Sequence, residues 1–374
     1  MSSDPELRRD TALAEALTAR IRRDGPLPVR DYMMACLDDR DHGYYRTRSA
    51  IGRDGDFITA PEISQVFGEL VGLWTAVVWQ HMGRPAAIHL VEIGPGRGTL
   101  MRDALRATAR VPGFHAALQV TMIEPSPVLA ATQRATLAGS AVPLAWARDF
   151  GPARGGAAIV VANEFLDCLA VRQLVSAGDG WAERCVGLDS AGRLQFMTGA
   201  RAPSAEAPAG HAPPGTVLEI ADFSLVRDHL AGYDTVAGLF IDYGDVAGGG
   251  LRFGDTLQAV RGHVFEHPLT SPGEADLTVQ VDFARFVEDM TAAPGLCVDG
   301  PVTQASFLGL LGAVERASRL MAANPGRALA IEMQVARLLA PAGMGGRFKA
   351  VGVRSRQLMP LPGLAAGAPG PHGG

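Results

Sequence analysis

Apolar positions follow helical spacing at the start of this chain and strand spacing from its first quarter onward. Leu13, Leu17 and Ile21 recur every fourth residue, one stripe of a helix. Asp4-Pro5 reads as its start, with aspartate as N-cap and proline at the first helical position. Gly25-Pro26 ends it. A second helix is expected over residues 29–36. A polar, glycine-punctuated stretch over 38–57 reads as a long loop, and long loops in compact enzymes often serve function. Helical spacing resumes over 64–81, with Val66, Leu70, Leu73, Trp74 and Val77 along one side.

From about residue 88 short apolar runs alternate with helical patterns. Strands are expected at 88–93, 118–123, 144–146 and 157–161, with helices over 100–110 and 128–137. That rhythm indicates right-handed βαβ units and a parallel sheet. It breaks at residue 171, where four short alternating runs up to 220 read as antiparallel strands around a Pro- and Gly-rich loop over 199–215. It returns at 237–241, and apolar segments over 328–333 and 348–353 are the expected closing strands. The fold class is therefore α/β, a Rossmann-like sheet with a helical N-terminal region and an antiparallel β insertion. The expected divisions are 1–86 for the N-terminal helices and a lid loop, 87–170 with 236–355 for the core, 171–235 for the insertion, and 356–374 for a disordered tail of small residues and prolines. No internal repeat is visible.

Composition narrows the function classes. A chain of 374 residues, 47% of them hydrophobic, buries a sizeable core. A formal net charge of −5 shows no basic surplus, so no nucleic-acid partner is expected. The four cysteines form no C-x-x-C pair, so no metal site is expected either. Scattered cysteines suit a reducing compartment. The N-terminus lacks an apolar signal core, and no run approaches the ~18 apolar residues of a membrane span. A soluble cytoplasmic protein is expected, and the Ala, Gly and Arg richness points to a bacterium. The oligomeric state is not legible.

The chemistry concentrates at strand ends. Glu92-Ile93-Gly94-Pro95-Gly96-Arg97-Gly98 joins a strand to a helix. Gly94, Gly96 and Gly98 let the backbone turn tightly and approach a ligand. A nicotinamide fingerprint would place its third glycine where Thr99 stands. Glu92 directly before the loop would repel a pyrophosphate and attract a cation. S-adenosyl-L-methionine, with a sulfonium and an ammonium and no phosphate, is the expected cofactor. Glu124 ends the next strand, 30 residues beyond Gly94 rather than the ~20 of a compact dinucleotide unit. It is the expected partner of the ribose hydroxyls. Asp149-Phe150 offers a polar group and an aromatic face for adenine, though a plain strand-end acid explains Asp149 as well. Asn163, Glu164 and Asp167 follow the fourth strand and could grip a nucleophilic nitrogen, holding its lone pair in line with the methyl group. Helix capping is the competing role for Asn163 and Asp167. The segment 55–64 runs from a polar loop into a helix. Thr59 and Pro61 are expected beside the cofactor and Glu62 beside the acceptor, with capping as the plain alternative for Thr59 and Glu62.

These motifs together resemble the MidA-like family of S-adenosylmethionine-dependent methyltransferases. The resemblance runs from about residue 10 to 355. It rests on Ala50-Ile51-Gly52, on the run from Gly55 through Thr59-Ala60-Pro61-Glu62 to Gln65, on the glycine loop, and on Ala162-Asn163-Glu164-Phe165. Asp242-Tyr243-Gly244, Asp255-Thr256-Leu257-Gln258, Asp276-Leu277-Thr278, Val281-Asp282-Phe283, Gly300-Pro301-Val302-Thr303-Gln304 and Phe348-Lys349 extend it. The resemblance implies a class I methyltransferase sheet. It implies cofactor contacts at Gly94, Gly96, Glu124 and Asn163, and an acceptor side at Glu62 and Glu164. Mitochondrial members methylate arginine and are needed for respiratory complex I assembly. The implied partner is thus a protein substrate, a complex I subunit among the candidates. A small-molecule or other protein methyltransferase, and a non-catalytic assembly factor, are the alternatives. One departure stands out: where the family continues with a second Phe and then Asp-Ala-Leu-Pro, this chain has Leu166-Asp167-Cys168-Leu169-Ala170. The acid is kept, while the aromatic wall and the proline turn are lost.

Overall fold

Ile88-His89-Leu90-Val91-Glu92-Ile93 is largely apolar on both faces, and such a strand needs cover on both. In the computed structural model, which describes residues 7–47, 58–151, 155–203, 212–246 and 252–364, it lies inside a seven-strand path. The strands are β1 Ile88–Ile93, β2 Leu118–Ile123, β3 Leu144–Ala147, β4 Ala157–Asn163, β5 Thr235–Asp245, β6 Leu296–Thr303 and β7 Phe348–Ser355. Their order is 3-2-1-4-5-7-6. β1 to β5 run parallel, and β7 is antiparallel between β5 and β6. Strand order reverses between β1 and β4, which opens a crevice at their carboxyl ends. The expected Rossmann-like sheet is present.

Helices α1 Gln65–His81, α2 Thr99–Thr108 and α3 Pro127–Thr136 belong to the same unit. Ser64 caps α1 and Ser126 caps α3, each accepting a backbone N–H of the first turn. α1 and α2 cross closely. A Cβ on Gly72 would stand 2.4 Å from the Cα of Ala104. Val66, Leu70 and Trp74 share a core with Ile159, Val161, Leu239 and Ile241, while Leu73 and Val77 are partly exposed.

Two expectations are corrected here. Residues 328–333 are not a strand but the start of the helix Ala328–Leu339, whose buried Ile331, Val335 and Leu338 follow helical spacing. The strand that joins Phe348–Ser355 at this end of the sheet is β6, bent by a register shift between Asp299 and Val302. The segment 356–364 is also packed rather than disordered. Leu361 and Leu364 are buried, and the Trp74 indole donates to the Pro362 carbonyl at 3.0 Å. Residues 365–374 lie outside the described residues.

A second compact unit draws on Met1–Phe57, Asp167–Asp222 and Ala247–Asp282. Its antiparallel sheet runs Leu27–Pro28, Trp181–Leu188, Arg172–Ser176, Val217–Ile220, Arg252–Phe253, with Leu194–Arg201 beside Trp181–Leu188. The division differs from the expected one. The stripe Leu13, Leu17, Ile21 and the second helix, Val29–Asp38, are buried with Val171, Val186 and Leu194, so the first two helices join the antiparallel strands. Asp4-Pro5 lies outside the described residues; the described helix is Ala12–Asp24, with Thr11 as its N-cap, accepting from Ala14 N and donating to Pro272 O at 2.7 Å.

Candidate active site

The glycine loop leaves β1 with three left-handed residues, Gly94 (φ +62°), Gly96 (φ +54°) and Gly98 (φ +79°). At Gly94 a Cβ would also press to 3.1 Å from the Phe165 ring. Gly98 is the residue before α2, so the first amides of α2 point toward the loop. Glu92, at the end of β1, is 3% exposed, and its Oε2 has no hydrogen-bond partner among the described residues. Burial pushes its carboxyl up to about 8.

Glu124 follows β2 and is buried. Its Oε1 accepts from Ser126 N at 2.8 Å and its Oε2 from Gln133 Nε2 at 2.9 Å. The same Gln133 nitrogen donates to the Gly96 carbonyl at 2.7 Å, and Gln133 Oε1 accepts from the Trp146 indole at 3.0 Å. Asp149 is exposed and turns its Oδ1 to Gly151 N at 3.0 Å. Phe150 meets Phe165 edge to face with ring centroids 6.4 Å apart.

At the end of β4 the backbone turns sharply. Glu164 has φ +52°, strained for a residue with a side chain. Asp242, fully buried on β5, holds this turn: its Oδ2 accepts from Phe165 N at 3.0 Å and Leu166 N at 2.8 Å. Asn163 donates its Nδ2 to Glu164 Oε1 at 2.9 Å, while its Oδ1 is buried with no partner among the described residues. Glu164 Oε1 also accepts from Ala60 N at 2.9 Å. The capping of the Ala60–Ile63 turn therefore comes from Glu164, since the Thr59 side chain makes no cap bond. Pro61 is buried in that turn, and Glu62 Oε1 accepts from the Thr99 hydroxyl at the start of α2.

One unit thus brings together Glu62, Glu92, Gly94, Gly96, Gly98, Glu124, Asn163 and Glu164. Asp167 belongs to the other unit, where it is buried and its carbonyl accepts from Val279 N. Gly55, Asp56 and Phe57 of the expected lid, with Ala50-Ile51-Gly52, lie outside the described residues. Gln133 and Asp242 have roles that sequence reading missed. Asp242 was noticed only within Asp242-Tyr243-Gly244, and Gln133 carries no motif. No group of three or more His, Cys, Asp or Glu side chains among the described residues is placed to hold a metal. No helix among them is long and apolar enough to cross a membrane.

Known proteins resemble this chain over most of its length. The model of a family described as S-adenosyl-L-methionine-dependent methyltransferase matches residues 70–302. A Drosophila melanogaster protein named protein arginine methyltransferase NDUFAF7 homolog, mitochondrial, is 34% identical, the match spanning 90% of this chain and 84% of the relative. The Homo sapiens protein arginine methyltransferase NDUFAF7, mitochondrial, is 33% identical over 81% of this chain and 74% of its own length. A Burkholderia thailandensis crystal structure bound to S-adenosyl-homocysteine superimposes with a TM-score of 0.83 at 30% identity, covering 94% of both chains.

Proposed function

Because the chain belongs to the MidA-like family of S-adenosyl-L-methionine-dependent methyltransferases, we propose that it methylates an arginine nitrogen of a partner protein. The single observation that carries the site assignment is the pair of buried acceptors without a hydrogen-bond partner among the described residues, Glu92 Oε2 and Asn163 Oδ1, in the same unit as the left-handed glycine loop. Both call for donors, and the cofactor's ammonium supplies donors. The residues present therefore fit the cofactor. Glu92 supplies negative charge for the methionine end, and Glu124 accepts from the ribose hydroxyls. Thr59, Pro61 and Asp149-Phe150 border the remaining faces.

When bound, the cofactor supplies an electrophilic methyl group on a sulfonium. The protein's work is orientation and protonation control. Glu164 is fixed by two donors, Ala60 N and Asn163 Nδ2, on a turn that Asp242 holds. A carboxylate so fixed grips a guanidinium through charge-assisted hydrogen bonds. It also keeps the acceptor nitrogen aimed and takes up the proton the product must lose. Glu62 is the second carboxylate of this acceptor side. A respiratory complex I subunit is the partner to test first. Four free cysteines suit a reducing compartment, and we read the bacterial cytoplasm.

The test is transfer of a labelled methyl group from S-adenosylmethionine to protein in an extract lacking this enzyme. Wild type is expected to place label in methylarginine. Glu164→Gln is expected to bind cofactor with unchanged affinity and to lose turnover by about 100-fold or more. Unchanged turnover would move the acceptor role to Glu62. Label in another residue, or in a small molecule, would replace the arginine reading.

A further inference from the structure

We propose that Gln133 is a positioning residue of the cofactor site, one side-chain amide that locks the glycine loop, the ribose carboxylate and the Trp146 indole into a single arrangement. The proposal rests on Glu124 as the ribose partner. Gln133 lies on α3 and is fully buried. Its Nε2 has two hydrogens, and both are used, one toward Gly96 O at 2.7 Å and one toward Glu124 Oε2 at 2.9 Å. Its Oε1 accepts from Trp146 Nε1 at 3.0 Å. These partners follow β1, follow β2 and lie on β3, so one amide joins three successive strand segments. The glycine loop rests on the same residue: a Cβ on Gly98 would stand 3.4 Å from the Gln133 Cα. The Arg134 guanidinium lies over the Trp146 ring, 4.6 Å from its centroid.

Glutamine is specific here. Glutamate has the same shape but would set a carboxylate against Glu124 and against the Gly96 carbonyl, replacing donors by acceptors. Methionine fills the space but leaves Gly96 O, Glu124 Oε2 and the indole N–H without this partner. With Ser126 N on Oε1 and Gln133 Nε2 on Oε2, the Glu124 carboxylate is held in one orientation. The role therefore concerns the nucleoside half of the cofactor and not the methyl end. Variants are expected to change cofactor affinity and KM and to leave kcat at saturating cofactor within twofold.

The experiment measures S-adenosyl-homocysteine affinity by calorimetry at pH 6 and pH 8.5 for wild type, Gln133→Glu and Gln133→Met. Each variant is compared with wild type at the same pH. Gln133→Glu is expected to lose at least tenfold more affinity at pH 8.5 than at pH 6, because its carboxyl ionises beside Glu124. Gln133→Met is expected to lose about the same factor at both pH values. Trp146→Phe, at a partly exposed site, removes only the indole donor and keeps the comparison available if a Gln133 variant does not fold. It is expected to weaken binding two- to fivefold with kcat unchanged. Wild-type affinity in Gln133→Met, a loss in Gln133→Glu that ignores pH, or wild-type affinity in Trp146→Phe would overturn the proposal. Absence of binding by wild type itself would overturn the cofactor-site reading beneath it, which separates the two failures.

Discussion

Glu92 carries a cost that only a bound cation repays. With its carboxyl pushed up to about 8, it is protonated near neutrality in the ligand-free protein. A cation beside it favours the carboxylate. Binding of S-adenosyl-homocysteine at pH 7 is therefore expected to release a proton from Glu92, and affinity is expected to rise with pH up to about 8. Calorimetry in buffers of different ionisation heat measures this, and Glu92→Gln is expected to abolish the release. A heat independent of buffer in wild type would contradict it. Stability moves the other way. Below the ordinary value of 4.5 the carboxyl is protonated in both folded and unfolded chains. As pH rises from there toward about 8, only the unfolded chain ionises, so this group's contribution to folding stability is progressively lost. Glu92→Gln is expected to flatten that slope in denaturant melts at pH 4.5 and 8, and to be the more stable protein at pH 8 by on the order of 3 kcal/mol. Residue identities at this scale were legible where a motif frames them, as with Glu92 and Gly94. The left-handed backbone of Glu164 was not, because the turn is held by Asp242, remote in sequence and brought close by β5.

The elements beneath the site depend on small side chains that sequence spacing does not flag. α1 was legible from its apolar spacing, yet its contact face with α2 is marked by Gly68 and Gly72 rather than by large residues. At Gly72 even a methyl group would meet the Ala104 backbone at 2.4 Å. Gly72→Val is expected to destabilise the fold by about 3 kcal/mol through overpacking, read by urea denaturation. A change under 1 kcal/mol would show that the two helices separate easily. The misread segment 328–333 has the opposite lesson. A short apolar run fits a strand or a buried helix equally, and only the longer window reaching Val335 and Leu338 gives the helical period. β6 escaped notice because polar and turn-forming residues, Asp299-Gly300-Pro301, interrupt it.

For the whole molecule, the unit that carries the glycine loop was legible and the other unit was not. The strands and helices around the glycine loop come from consecutive βα units, so their residues lie near one another in sequence and carry local signatures. The second unit is assembled from three separated segments, and neither periodicity nor spacing announces that residues 7–38 join strands beyond residue 171. Asp167, expected beside Asn163 and Glu164, falls in that unit. Methyl transfer from a sulfonium to nitrogen is a direct displacement in which the charged sulfur is already a good leaving group, so the step needs no Lewis acid. Activity is therefore expected to be unchanged by chelators. Loss of turnover in EDTA, restored by a divalent ion, would contradict this.

The central claim is that this glycine loop and its carboxylates deliver a methyl group to protein arginine. Its most direct test is mass spectrometry of the proteome from cells with the gene, without it, and without it but complemented by Glu164→Gln. A methylated arginine present in the first and missing from the other two is the predicted result. An identical set of methylated arginines in all three would contradict it.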